Sequence, residues 1–405
     1  MTATPYQPYL DWVAEQQSAM LETVLGWSVI NSGSYHLAGL AEMASVIEKA
    51  FAVLGASCER LNLAPMQTIG SLGEMLETPL GQALRFRKRP DVPLQVLLTG
   101  HMDTVFAKDH PFQVPVATGA NTVNGPGVAD MKGGIIVMLH ALMALERSPW
   151  KEHIGWEVLI NPDEEIGSIG SAPLLAEAAK RHKFGLTYEP SLPDGTLAGA
   201  RKGSGNFTAV MRGRSAHAGR EPHLGRNAIV ALAEFISTIS ALNGAKEGIT
   251  VNPGKIEGGG AVNVVPDLAI CRFNVRIATP EEQFWLEQRL HDIQESFAQK
   301  EGFRLELHGG FTRPPKILSQ KNHHLFSLVK DCGRQLGLAL QEKPTGGCCD
   351  GNNLAANGLP NVDTLGVRGG NIHSAEEFLL VDSLTERAQL SALLLLRFAA
   401  KEISI

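Results

Sequence analysis

Paired cysteines are the first thing this sequence lacks. Its five cysteines (Cys58, Cys271, Cys332, Cys348, Cys349) include no Cys-x-x-Cys pair, which argues against a thiolate zinc site and against a disulfide scaffold. Basic charge is also in deficit. The 36 Lys and Arg against 42 Asp and Glu give a formal charge of -6, unlike the surface of a general nucleic-acid binder. Long apolar runs are missing: the most apolar stretch, residues 134–145, carries His140 and falls short of the roughly 20 residues a span needs, so no membrane partner is expected. The opening MTATPYQPYLDWVAEQQ has neither a basic n-region nor an apolar h-region, and a soluble, cytoplasmic protein is the expectation. Nucleotide cradles and serine elbows are absent too. No G-x-x-x-x-G-K-[ST], no G-x-G-x-x-G with an acid about 20 residues on, and no G-x-S-x-G occurs.

What the chain has in surplus is glycine, 42 of 405 residues or about 10% against a usual value of roughly 7%. The 44% apolar and 19% charged fractions are those of an ordinary globular protein, and the length exceeds what one core usually serves. Helical spacing runs over residues 9–29 and 38–54, the second ending at Gly55 as a C-cap. Residues 94–98, 156–160 and 184–188 read as buried strands, with an apolar helix over 133–145. From about Gly203 the texture changes to strand 206–212, helix 225–242, strands 249–256 and 268–277, helix 280–299 and strand 303–308. That β-α-β-β-α-β order is ferredoxin-like. Helix 322–336, strand 362–365 and helix 381–400 follow. The expectation is an α/β protein with a mixed, largely parallel sheet flanked by helices. Its catalytic domain would span residues 1–199 and 316–405, interrupted by an inserted ferredoxin-like lid over 200–315.

Each expected α/β strand runs into residues able to bind metal. After LQVLLTG come His101 and Asp103, which point the same way in extended chain, so one can ligate while the other fixes the imidazole from behind. After WEVLI come Asp163, Glu164 and Glu165, three adjacent carboxylates that repel unless cations or solvent screen them. FGLTY runs into Glu189-Pro190, where proline stops the ladder. The glycine-rich NGPGVADMKGG adds Asp130, and GGNIHS offers His373. Two imidazoles and several carboxylates without thiolate suit a borderline-to-hard divalent ion such as zinc, cobalt or manganese. A pair of such ions can share an Asp and activate water.

With these motifs the sequence resembles the co-catalytic zinc aminoacylase/carboxypeptidase family. That family includes acetylornithine deacetylase, succinyl-diaminopimelate desuccinylase and bacterial glutamate carboxypeptidase. The likeness runs from Asn31-Ser32-Gly33-Ser34 to the C-terminal helix. It is carried by GHMDTV, GPGVADMKGG, NPDEEIGS, Glu189-Pro190, GRSAHAG and Gly-Asn-Ile-His-Ser. The resemblance implies two divalent ions, zinc foremost. His101 and Glu189 would hold one, Glu165 and His373 the other, and Asp130 would bridge them. Glu164 would be the general base, Asp103 would orient His101, and the Asp130-Met131 peptide would be cis. His217 would reach a neighbouring subunit's site and stabilise the oxyanion, in a homodimer formed through the lid. Asn263 and Arg276 would grip the substrate's free carboxylate.

The implied activity is hydrolysis of an amide beside that carboxylate. The whole chain looks nearest to glutamate carboxypeptidase-like members acting on short peptides or N-acyl amino acids. N-acyl-amino-acid deacylation of the acetylornithine or succinyl-diaminopimelate type is the alternative, and a catalytically inactive metal-binding or structural homologue the next. Two departures stand out. Cys349 replaces the Ser or Thr common in relatives, as a packing residue or as a redox- or metal-sensitive one. Arg368 reads either a second substrate carboxylate or solvent.

Overall fold

Apolar runs that are too short for helices become the strands of one sheet. In the computed structural model, which describes residues 4–405, six strands lie in the order Ser57–Asn62, Gln82–Lys88, Gly155–Asn161, Gln95–His101, Phe184–Thr187 and Asn361–Val362. The last four are mutually parallel, Gln82–Lys88 runs opposite to them, and Ser57–Asn62 pairs antiparallel with Gln82–Lys88, so the sheet is mixed and largely parallel. Along Gln95–His101 both faces are covered. Val96 and Leu98 join the main core with helices Gly134–Arg147 and Ser383–Ala399, while Leu97 packs with helices Ala172–Arg181 and Asp350–Ala356. The stretch Val128–Arg147 is long and apolar enough by composition to cross a membrane, yet 94% of its apolar window is buried in this core. A helix apolar all round is stable here because protein surrounds it.

The strands Gly203–Arg212, Thr250–Gly258, Leu268–Ile277 and Arg304–Arg313 form a second, antiparallel sheet with its own core. Taken in chain order, they lie in space as second, third, first, fourth, the ferredoxin-like arrangement. Helices Ala228–Ser240 and Pro280–Ala298 cover one face, where Phe235, Leu286 and Phe297 join Phe273. The second helix starts with a capping box between Thr279 and Glu282. The opposite face of this lid sheet stays open toward the C-terminal ends of the parallel strands. A small third sheet pairs Gly369–Gly370, Phe378–Leu380, Thr122–Asn124 and Val116–Gly119, which brings the chain's two glycine-rich segments together.

Some expectations need correction. The helix read over residues 9–29 is two helices, Gln7–Ala14 and Gln17–Ser28. Leu10, Val13, Met20, Val24 and Trp27 all bury in one core, so the apolar spacing runs through the break without registering it. The strand read over 362–365 shrinks to Asn361–Val362, because Thr364 takes a φ of 68° and leaves the ladder.

Candidate functional site

Three parallel strands deliver their ends to one place. His101 is the last residue of its strand, Asn161 ends the next and leads into the turn Glu164–Ile166, and Glu189 follows Thr187 by two residues. Strand Gln95–His101 lies between the two strands that come after it in the chain, so connections leave it on both sides. Such a switch point opens a crevice at the strands' carboxyl ends. Asp130 arrives from the turn before helix Gly134–Arg147, where the Asp130-Met131 peptide is cis.

The side chains converge closely. His101 Nε2 lies 3.1 Å from Asp130 Oδ1 and 3.8 Å from Glu189 Oε2. His373 Nε2 lies 3.3 Å from Asp130 Oδ2 and 3.1 Å from Glu165 Oε2. The two oxygens of Asp130 thus face two different imidazoles. His101, Asp130, Glu164 and Glu189 are buried, whereas the His373 side chain is half exposed at the rim.

Four further charged groups hold this cluster, and three of them have no sequence signature. Asp103 accepts from the backbone N–H of Glu164 and of Glu165, both at 3.1 Å, and from Ser34 Oγ at 2.7 Å. His101 Nδ1 is nearer the Asp103 carbonyl oxygen, at 3.0 Å, than its carboxylate, at 3.4 Å. Asp103 therefore fixes the imidazole mainly through its backbone and the 164–165 turn through its side chain. Glu377 accepts from the N–H groups of Gly127, Ala129 and Asp130, which sets the backbone that presents Asp130. Arg313, the last residue of its lid strand, places Nη1 2.6 Å from Glu164 Oε1 and Nη2 2.7 Å from both the Glu164 carbonyl oxygen and Ser168 Oγ. Asp350 lies 3.7 Å from the same guanidinium and accepts from Ser168 and Asn161. Asp163, the third acid of the triplet, turns away and takes the N–H groups of Gly170 and Ser171.

Electrostatics identify what this cluster accommodates. Burial pushes Glu165 up to about 8, with Asp130 adding to it, and pushes Glu164 up to about 7 against the pull of Arg313. Burial raises Glu189 as well. In Asp130 burial is outweighed by hydrogen bonds from His101 and His373, which hold it low. Burial likewise loses in His101, where Glu189, Asp103 and Asp130 raise the imidazole well above its ordinary value. Hydrogen bonds to Asp130 and Glu165 raise His373 to about 11. Four carboxylates packed this tightly call for cations, and the imidazoles supply them by holding protons. Divalent ions meet the same demand with a better-matched donor set. Glu189 Oε1 is buried without a hydrogen-bond partner, as expected of an oxygen placed for a ligand. Donor atoms of His101, Asp130 and Glu165, and those of His101, Glu164 and Glu189, gather within 4.8 Å. The residues fit divalent metal.

A cleft of about 490 Å³ opens above the cluster, with the lid face as its other wall. Arg276 lines it, Nε donating to Asn274 Oδ1 at 3.0 Å and Nη1 to Cys348 Sγ at 2.9 Å. His217 and Asn263 lie elsewhere. His217 pairs with Val264 on the short ladder of Ala216–His217 with Val264–Val265, the Asn263 carbonyl accepts from the Ala218 N–H just beyond that ladder, both residues are exposed, and neither lines this cleft. Arg368 is paired with Asp382 and Glu386 outside the cleft, which corrects its reading as a carboxylate reader. Cys349 is buried, donating to Asp363 at 3.5 Å, and burial raises its thiol well above the ordinary value. That is a packing role. Cys348 remains in the cleft wall.

Known proteins are similar to this chain in sequence and fold. Carboxypeptidase G2 from a Pseudomonas species is 27% identical over 394 residues, covering 95% of this chain and 91% of that protein. Succinyl-diaminopimelate desuccinylase from Psychrobacter arcticus is 26% identical over 318 residues, 73% of this chain and 76% of its own. The crystal structure of a tripeptidase from Staphylococcus aureus superposes with a TM-score of 0.73 at 24% identity, covering 95% of this chain and 99% of that one. Residues 97–397, which contain every residue of the cluster, match the family described as Peptidase family M20/M25/M40. The chain belongs to that family and is one of its metallopeptidases.

Proposed function

We propose that this protein is a two-metal hydrolase cleaving an amide bond next to a free carboxylate, in a short peptide or an N-acyl amino acid. The observation that carries the reading is Asp130, whose two oxygens each face one imidazole. His101 and Glu189 would complete one metal site with Asp130, and Glu165 and His373 the other. Zinc is the expected ion, with cobalt or manganese able to replace it. Bound there, the ions supply Lewis-acid polarisation of the carbonyl and acidify water.

The chain's own groups do the rest. Glu164 takes a proton from the attacking water and passes it to the leaving amine, a role suited to a buried carboxyl raised toward neutral pH. Arg313 and the Asp103-held turn keep that carboxylate aimed. Arg276 exchanges its contact with Cys348 for the substrate's carboxylate, which a planar guanidinium matches in two-point fashion. His217 of one subunit reaches the cleft of a second through a lid-mediated homodimer and stabilises the developing oxyanion, with Asn263 beside it gripping the carboxylate. An isolated monomer lacks that donor and should be nearly inactive. Deacylation of N-acetyl or N-succinyl amino acids is the second reading. It is favoured by the additional cation Lys343 in the cleft wall, which suits a substrate with another acidic group.

The test is Glu164→Gln, assayed beside wild type on a panel of dipeptides and N-acyl amino acids with zinc, cobalt or manganese. Metal content near wild type with turnover reduced about 10³-fold or more is the expected result, since the group that moves the proton is gone. A metal-replete variant with unchanged turnover removes Glu164 from this role.

A further inference from the structure

The chain passes between the catalytic domain and the lid at two places, outward over residues 201–203 and back over 313–316. The crossings run side by side. Arg201 and Lys316 exchange backbone hydrogen bonds, 3.1 Å in one direction and 3.0 Å in the other. A Cβ on Gly203 would come 2.8 Å from both the Arg313 carbonyl oxygen and the Pro315 nitrogen, so glycine permits this approach. Pro314 and Pro315 stiffen the return crossing.

One buried carboxylate gathers both crossings. Arg201 Nε lies 2.8 Å and Lys316 Nζ 2.9 Å from Asp363 Oδ2, and the Cys349 thiol donates to the same oxygen at 3.5 Å. Asp363 and Lys316 are fully buried and the Arg201 side chain nearly so. Asp363 directly follows the strand Asn361–Val362, which ties it to the parallel sheet. Asn352 repeats the grip on the backbone. Its Nδ2 donates to the Lys202 carbonyl at 3.0 Å and to the Pro314 carbonyl at 2.7 Å, one from each crossing. A Cβ on Gly351 would lie 2.6 Å from Asp363 Oδ2, so glycine there keeps space for the carboxylate.

Desolvation of three charges offsets most of their attraction, so such a triad contributes little net stability. What it fixes is direction. Two cations on one oxygen define how both crossings leave the catalytic domain, and the groups that matter stand just beyond. Ser204 and Arg313 each lie three residues from the paired Arg201 and Lys316, and Arg276 faces Ser204 across the ladder. Three strand residues span about 10 Å, so a lid rotation of about 5° at the crossings displaces these groups by roughly 0.9 Å. A misplacement of about 1 Å can cost roughly 10²-fold in rate. At the far end of the lid sheet, Ile69 of the hairpin Met66–Ile69 with Met75–Thr78 packs against Val210 and Ile270. Apolar contact is non-directional and leaves the angle to the crossings.

We infer that Asp363 is a positioning residue for the lid. By holding Arg201 and Lys316 it sets where Arg276 and Arg313 stand over the metal cluster. Asp363 does not line the cleft and acts only through the crossings. Its effect on turnover rests on the amidohydrolase reading above, whereas its effect on lid position does not.

The experiment separates position from stability with three variants. Asp363→Asn keeps the shape and removes the charge. Lys316→Met frees one crossing, leaves Arg201 and Asp363 as a matched pair, and serves if Asp363→Asn does not fold. Combining the two substitutions returns the buried excess to one positive charge, as in wild type, against two in Asp363→Asn alone. Pulsed electron paramagnetic resonance reads the distance between nitroxides on the exposed Cys58 and on Gln288→Cys in the exposed face of helix Pro280–Ala298. Labelling uses a Cys348→Ser background, and labelled chain is diluted with unlabelled chain. Wild type should give one narrow distance. A ten-residue lid strand is about 33 Å long, so a tilt of about 5° carries its far end about 3 Å. Asp363→Asn and Lys316→Met should therefore shift or broaden the distance by about 3 Å or more, and lower kcat/KM on N-benzoyl-glutamate about tenfold or more at unchanged metal content. The combined variant should recover much of the melting temperature lost in Asp363→Asn while keeping the displaced lid. A wild-type distance in both single variants overturns the positioning role, as does a combined variant that recovers distance together with melting temperature. A displaced lid with wild-type kcat/KM overturns the link to Arg276 and Arg313. If wild type turns over no N-acyl amino acid or dipeptide, the hydrolytic reading fails and the distances alone decide the role of Asp363.

Discussion

Replacing Arg313 by Met tests how the cluster tolerates its own charge. The guanidinium is 95% buried, pairs with Glu164 at 2.6 Å, lies 3.7 Å from Asp350, and donates to the Glu164 carbonyl and Ser168. Methionine fills similar space but leaves two buried carboxylates without their cation, a loss of about 3–5 kcal/mol. At roughly 2 °C per kcal/mol for a large domain, the melting temperature should drop by about 6–10 °C. The chelated protein is the right sample, so that altered metal affinity does not enter. The loss should also depend on pH. Burial pushes Asp350 up to about 6 while Arg313 pulls it down and Glu164 pushes it further. A carboxyl raised on folding costs nothing below its unfolded value near 4, and its penalty grows until pH passes the folded value. Without Arg313 that folded value moves above 6, so between pH 6 and 8 the variant loses stability at Asp350 on top of the loss that Glu164 and Glu165, raised to about 7 and 8, impose on wild type as well. Differential scanning calorimetry at pH 5.5 and pH 8 should show the deficit widening at pH 8. A deficit equal at both pH values, or none at all, refutes this account of the buried pair.

Asp103→Ala removes the acceptor of two buried N–H groups and of Ser34, each unpaired group costing about 1–3 kcal/mol. It should weaken zinc binding about 10–100-fold in a chelator-competition titration, and wild-type affinity would count against the assignment. Glu377→Gln leaves only one oxygen for three backbone donors, so metal affinity should fall while the overall fold, followed by circular dichroism, persists. Gly134→Ala would place its Cβ 2.0 Å from the Tyr188 carbonyl oxygen, between two core elements. That variant should be recovered insoluble, and a soluble protein with the wild-type melting temperature would contradict the packing described.

The converging residues were legible wherever chemistry directly followed an apolar run. His101, Glu164, Glu165 and Glu189 all come straight off buried strands, and a parallel sheet must bring such ends together. Asp130 and His373 were visible through the glycines around them. Glu377 was not: in SAEEF it reads as a loop acid, and only the pairing of Phe378 with Asn124, more than 250 residues away, carries it under the Asp130 turn. Arg313 escaped because the alternation that marks its strand falters at Gly309-Gly310, so the expected strand stopped at His308. The outer strand Ser57–Asn62 is mostly exposed on both faces and has no alternation to read. What local pattern misses is what long-range register decides.

The acid excess of the chain divides by that same logic. Asp130, Glu164, Glu165 and Glu189 face the cleft; burial and mutual repulsion oppose the charge of the three glutamates, while His101 and His373 hold Asp130 low. Asp103, Asp163 and Glu377 face the backbone instead, each accepting two or three N–H groups from the loops that carry the first set. Four carboxylates that repel one another push the loops carrying them toward outward relaxation. Acids that grip backbone donors resist that relaxation without adding charge to the cleft. The distinction predicts opposite responses to neutralisation. Glu165→Gln relieves repulsion and should raise the melting temperature of the chelated protein, whereas Asp103→Asn replaces one acceptor by a donor facing an N–H and should lower it. If thermal melts of the two variants shift in the same direction, the division between cleft-facing and loop-holding acids is wrong.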